Sequence, residues 1–260
     1  MLEELIQLHQ SGRLDEAEKG YRQFLAGNPE NAEALHLLGI LRAQRGDLPE
    51  AYELVRRAGE LAPDNAACQH TLGEMYLSEG RLDEAQQAYD QARQLNPNLA
   101  SAHAGLGQVA FLRGDIDAAE GHFRVALRAD ENDVQALTGL GNVAQSRGDS
   151  ARALQLLTQA AGLAPDDALI QTSYARAMLD EGMLDFAAKA LDNALTVKPD
   201  YPLAQVLRGD LHVRKGTFTE ARPLFESLLA RGEQIAAAHT GLGDIASAQG
   251  QQDEAIAHYD

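Results

Sequence analysis

A period of 34 residues runs through this chain without an insertion, and it limits the fold before composition is considered. The unit is clearest over residues 66–99, AACQHTLGEMYLSEGRLDEAQQAYDQARQLNPNL. One glycine recurs at Gly39, Gly73, Gly107, Gly141, Gly209 and Gly243, with Ala175 in the remaining place. A second recurs at Gly12, Gly46, Gly80, Gly114, Gly148, Gly182, Gly216 and Gly250. Alanine follows it at Ala17, Ala51, Ala85, Ala119, Ala153, Ala187, Ala221 and Ala255. Such units cannot bury an apolar face alone, so neighbours must stack.

Within each unit, apolar residues fall at helical spacing in two bursts, Leu72/Met75/Tyr76 and then Ala85/Ala88/Tyr89/Ala92/Leu95. The spacing predicts two helices joined at Gly80, where a helix C-terminus favours a residue free to take positive φ. Asp83 and its equivalents Asp15, Asp117, Asp185, Thr219 and Asp253 open the second helix, where acceptors and negative charge are favoured. Pro29, Pro63, Pro97, Pro165 and Pro199 close it, since proline cannot continue a helix interior. Small residues in the glycine and alanine columns allow interaxial distances of about 8–10 Å.

The combination Leu72-Gly73, Tyr76, Gly80, Ala85, Tyr89 and Pro97 resembles the tetratricopeptide repeat (TPR), a helix–turn–helix unit, and the likeness covers the whole chain. The tryptophan often found three residues before the leucine in that family is absent; Leu35, Gln69, His103, Leu137, Gln171, Gln205 and His239 stand there. The resemblance implies an all-α fold: a TPR α-solenoid, a right-handed superhelix of antiparallel helix pairs, forming one array over residues 1–260. Its repeats are a partial one at 1–31, full ones at 32–65, 66–99, 100–133, 134–167, 168–201 and 202–235, and a truncated one at 236–260. The truncation leaves Ile256 and Tyr259 facing an absent neighbour, and the expectation is an N-terminal piece of a longer protein. Repeat 202–235 is irregular, with Arg208, Leu228 and Glu233 in place of the usual leucine, alanine and proline. Pro223 removes a backbone hydrogen bond early in its second helix and is expected to bend or fray that helix start, or to mark a hinge.

Composition narrows the function. A formal charge of −17 and scattered Lys and Arg oppose nucleic-acid binding, which needs clustered cations. A single cysteine, Cys68, excludes an intrachain disulfide and fits a reducing compartment. No apolar run reaches the eighteen or so residues of a membrane span, and the first thirty residues carry no signal-peptide pattern. The expectation is a cytoplasmic protein without membrane contact.

GLGQVA (105–110), GLGNVA (139–144) and GLGDIA (241–246) fit a dinucleotide fingerprint only superficially, because they lie inside helices and recur with the packing period. The family resemblance places ligand contacts on the concave face, lined by the first helix of each repeat. The residue after the glycine column reads Ile40, Glu74, Gln108, Asn142, Arg176, Asp210 and Asp244; three residues before that glycine stand His36, His70 and Thr138, and one turn beyond it stands Phe111. This groove begins mixed, is hydrogen-bonding at its middle and turns acidic at Asp210 and Asp244. Chaperone-binding TPR domains hold a carboxylate with Lys and Asn, and here only Asn142 and Arg176 answer. The repeats of O-linked N-acetylglucosamine transferase carry an asparagine ladder, and here Asn142 stands alone. His36, His70 and Glu74 have ligand chemistry for zinc but read better as groove wall, since structural zinc takes four protein ligands. Asp210 and Asp244 read as an acidic rim, with nothing apolar placed to raise a pKa, and Cys68 as an inert packing residue.

The expected function is non-catalytic: a scaffold binding a protein or peptide segment, basic where it meets Asp210 and Asp244, with no cofactor and no metal. The alternative is a substrate-recognition arm of a larger enzyme of glycosyltransferase, sulfotransferase or methyltransferase type. A homodimer through the uncapped last repeat is a third expectation.

Overall fold

The computed structural model describes residues 1–259; Asp260, the last residue of the expected truncated repeat, lies outside the described residues. Among them are sixteen α-helices and no strand. They alternate as first and second helices of hairpins: α1 (Leu2–Gln10) with α2 (Leu14–Gly27), α3 (Ala32–Gln44) with α4 (Leu48–Leu61), α5 (Ala66–Ser78) with α6 (Leu82–Leu95), and α7 (Ala100–Leu112) with α8 (Ile116–Ala129). The series continues as α9 (Val134–Ser146), α10 (Ser150–Leu163), α11 (Ala168–Asp180), α12 (Leu184–Val197), α13 (Pro202–Lys215), α14 (Phe218–Ala230), α15 (Ile235–Ala248) and α16 (Gln252–Tyr259). The chain divides into two compact units, Met1–Gly139 and Leu140–Asp260, the division falling inside α9.

The glycine at each hairpin joint takes positive φ, from +71° at Gly182 to +80° at Gly114, which side chains with a Cβ resist. Asp47, Asp115 and Asp149 cap the following helix by accepting a backbone N–H, as at Ala118 (3.0 Å). The acids expected to open these helices stand two residues further on, in the first turn. From there Asp15 and Asp83 pair with Arg45 and Arg113 of the next repeat, and Asp185 meets Lys215 at 3.0 Å. These carboxylates are almost fully exposed, so the pairs add little stability.

Stability comes from a repeated packing of one large side chain against small ones. Each second helix from α2 to α14 projects a residue into the interior: Tyr21, Val55, Tyr89 and Phe123 in the first unit, Leu157, Leu191 and Phe225 in the second, all at most 1% exposed. Burying each contributes about 2–3 kcal/mol relative to leaving it in water. Three of the four aromatics have glycine on both sides, whereas Tyr21 packs with Leu5 and Leu37 at the corresponding positions. Tyr89 lies between Gly73 and Gly105, where an added Cβ would come within 2.6 and 2.5 Å of its ring. Phe123 lies in the same way between Gly107 and Gly139, and Phe225 between Gly209 and Gly241. Val55 and Leu157 are matched by one glycine, Gly39 and Gly141, and the position of the second is filled by Thr71 and Ser173. Leu191 tolerates Ala175, which explains the gap in the glycine column.

Pro223 does not fray its helix. The second helices begin at residues 14, 48, 82, 116, 150, 184, 218 and 252, so α14 starts in register, and the exposed proline leaves only a carbonyl for solvent to satisfy. The irregularity appears at the other end. Where proline stands in most repeats, Glu233 follows Gly232 (φ +69°), and Gln234 adopts φ +47°, the left-handed region that costs a side-chain-bearing residue about 1–2 kcal/mol. Tyr259 is half exposed, yet its ring packs on Gly243 and its hydroxyl donates to Asp244 at 2.7 Å. Ile256 alone of the expected pair stands without such contacts, at 56% exposure.

Candidate functional site

In the first unit, the first helices carry His36 and Ile40 on α3, His70 and Glu74 on α5, and Gln108 and Phe111 on α7. His36 Nε2 lies 2.8 Å from the Thr71 hydroxyl, and burial, reinforced by His70, holds its pKa below the ordinary imidazole value. His70 Nδ1 stands 3.6 Å from Glu74, and its ring leans on Tyr89 at 5.7 Å between centroids. Both histidines therefore have structural partners. Among the described residues no group of three or more His, Cys, Asp or Glu side chains is placed to hold a metal ion. Ile40, Gln108 and Phe111 are half-buried. Thr138 corrects the sequence reading: it is 6% exposed, and its hydroxyl donates to the Val134 carbonyl at 2.7 Å. Its column carries buried Ala104 in the same unit, and Thr172 and Val206 in the other, so small or apolar residues there are interior packing.

In the second unit, Asn142 is half-buried on α9 and Asp244 is exposed on α15. Arg176 on α11 and Asp210 on α13 come together in a depression of about 320 Å³. Its apolar lining is Leu179, Leu203, Val206, Leu207 and Ala237, and Asp180, Arg214 and Gln234 complete the wall. Among the described residues Asp210 and Arg176 make no hydrogen bond and no ion pair, whereas Arg208, Arg222 and Arg231 of the same unit are all paired. Arg214 is held by the Leu179 carbonyl at 2.5 Å.

The sequence reading of Asp210 is corrected here. Burial raises its pKa to about 6; Arg214 and Arg176 oppose that shift and Asp244 adds to it. The apolar side chains that line the depression with it lie four and three residues earlier on the same helix, Val206 and Leu207, with Leu203 one turn before. That spacing was present in the sequence. What it lacked was Ala237 of α15, which closes the depression only once the hairpins stack. Gln234 was invisible for a different reason: nothing in its residue type signals the positive φ it adopts between α14 and α15.

Models of the tetratricopeptide repeat match residues 8–74, 70–134, 138–204, 176–234 and 206–260. No curated protein sequence matches the chain. Among solved structures, a chain of the APC/C hetero-tetramer Cut9–Hcn1 aligns with TM-score 0.74 and 19% identity, over 98% of this chain and 47% of that one. A tetratricopeptide repeat protein from Parabacteroides merdae aligns with TM-score 0.63 and 19% identity, over 94% of this chain and 96% of its own. A TPR protein of Thermus thermophilus gives TM-score 0.60 and 27% identity over 68% of this chain and 97% of its own. The chain spans about half the length of the first of these. No helix among the described residues is long and apolar enough to cross a membrane.

Proposed function

This chain belongs to the tetratricopeptide repeat family, whose repeats bind other proteins or peptides, and from that premise we propose a non-catalytic scaffold that grips a partner segment at the Asp210 depression. The observation that carries the reading is a half-buried carboxylate and a guanidinium, both unpartnered, over an apolar floor. A charge left buried and unpaired costs free energy that a cationic partner group recovers. The partner segment accordingly presents Lys or Arg to Asp210 and Asp244, sets an apolar side chain on Leu203, Val206 and Ala237, and offers Arg176 an acceptor. The strained backbone at Gln234 supports this placement, because such strain gathers where ligands are held. Ile40, His36, His70, Glu74, Gln108 and Phe111 form a separate candidate surface on the first unit, and Asn142 extends that of the second.

The test is crosslinking from Gln234, replaced by a photoreactive residue, in native extract, with the crosslinked partner peptide sequenced. Support is a peptide carrying Lys or Arg whose yield falls in Asp210→Asn and Arg176→Gln variants and weakens with salt over a screening length of about 8 Å. Equal yield in all three proteins, independent of salt, refutes it.

A further inference from the structure

Four of the eight histidines form two pairs that the partner-binding reading does not use. His103 on α7 faces His122 on α8, ring centroids 6.0 Å apart. His239 on α15 faces His258 on α16, centroids 5.4 Å apart, with the two Nδ1 atoms 3.1 Å from each other. The pairs are equivalent: each joins the first and second helices of one hairpin at the same two repeat columns, 136 residues apart. At those columns the other repeats from residue 32 onward carry Leu with Leu, Gln with Ala, or Gln with Leu. Histidine stands at both positions or at neither, so the two residues act as one unit.

At the first pair the protonation pattern leaves a lone pair without a partner. His103 Nε2 lies 3.2 Å from the Pro97 carbonyl, which can only accept, so Nε2 carries the hydrogen. Gln205 confirms the role of this column, donating its amide to the equivalent Pro199 carbonyl at 2.9 Å. The lone pair of His103 is therefore on Nδ1, an atom shut off from water with no hydrogen-bond partner in a residue only 8% exposed. A ligating histidine that donates its other N–H to a backbone carbonyl is the usual outer support of a metal site.

The spacing fits. Two imidazole nitrogens on a tetrahedral zinc ion, at about 2.0–2.1 Å each, stand about 3.3 Å apart. The 3.1 Å between His239 and His258 is close to that and also lies near the cis spacing of a tetragonal ion, about 2.9 Å. We propose that each histidine pair is a two-nitrogen site for a divalent transition-metal ion, Cu²⁺ most tightly and Zn²⁺ less so, with water completing the coordination from the side of the part-exposed His122 and His258. On binding, the hydrogen shared between the two Nδ1 atoms of His239 and His258 moves to Nε2 of its ring. The ion then ties the two helices of a hairpin together.

The full chain, stripped with a chelator, is titrated with Cu²⁺ and separately with Zn²⁺ by calorimetry, and the Cu²⁺ form is examined by electron paramagnetic resonance. Two equivalents are expected, with nitrogen hyperfine structure from two imidazoles. His103→Gln with His122→Ala, the pairing the chain itself uses at residues 69 and 88, keeps the hydrogen bond to Pro97 and removes one equivalent. His239→Gln with His258→Ala removes the other, each with at least a tenfold loss of affinity at its site. His36→Gln with His70→Gln leaves both equivalents in place. Should a double variant fail to fold by circular dichroism, His122→Ala or His258→Ala alone carries the test. Unchanged stoichiometry in the paired variants, loss in the His36/His70 control, or no uptake by the wild-type chain overturns the proposal.

Discussion

Replacing Gly105 by alanine tests the packing rule on which the array rests. In an exposed helix interior the change gains about 0.5–1 kcal/mol, because glycine gives up more backbone freedom on folding. At Gly105 the new Cβ would fall 2.5 Å from two ring atoms of Tyr89 and 2.7 Å from a third, about 1 Å inside ordinary contact. The ring has no retreat, since Gly73 stands equally close on its other face. Overpacking of this kind costs about 1–3 kcal/mol, so Gly105→Ala is expected to lower stability by about 0–2 kcal/mol net. Gly121→Ala, in α8 with nothing within 4 Å of the added carbon, is expected to raise it by about 0.5–1 kcal/mol. In a Tyr89→Leu background, copying Leu157 opposite Ser173, Gly105→Ala becomes neutral or stabilising, a coupling of about 1–3 kcal/mol. The assay is urea unfolding followed by far-UV circular dichroism, comparing midpoints because repeat arrays need not unfold in two states. If Gly105→Ala stabilised as much as Gly121→Ala in both backgrounds, the two-sided fit of aromatic to glycine would be wrong.

Three further outcomes follow from single residues. Asp210 has a folded pKa of about 6, above its ordinary 3.8, so its contribution is greatest below pH 3.8 and is lost as pH rises through 6; Asp210→Asn is therefore expected to be more stable than the wild type by about 1–3 kcal/mol at pH 8, with the gap closing by pH 4, and an unchanged gap would refute the burial argument. Gln234→Gly relieves a positive φ and is expected to raise stability by up to about 1 kcal/mol in the same unfolding assay, whereas a loss would show that the Gln234 side chain contributes more than the strain costs. Cys68 is fully buried and burial raises its thiol pKa, so a thiol reagent is expected to modify it only at the rate of unfolding, with modification at the free-cysteine rate in folded protein as the contrary result.

The sequence by itself determined the repeat, the helix pair and the interior. A fixed period places Gly80 and Ala85 identically in every unit, and their physical roles are local: positive φ at a joint and a side chain small enough for helices to touch. Even the exception at Ala175 was legible once matched with Leu191 as the residue it faces. The tertiary structure decided which polar residues are free. Thr138 and Asn142 look alike as groove candidates four residues apart, yet one is buried against its own helix backbone and the other stands half open. Asp210 reads as rim until the folded chain sets it in a depression that Ala237 of another hairpin helps to line, and burial raises its pKa. Solvation of a side chain is set by neighbours distant in sequence, and those neighbours are fixed only when hairpins stack.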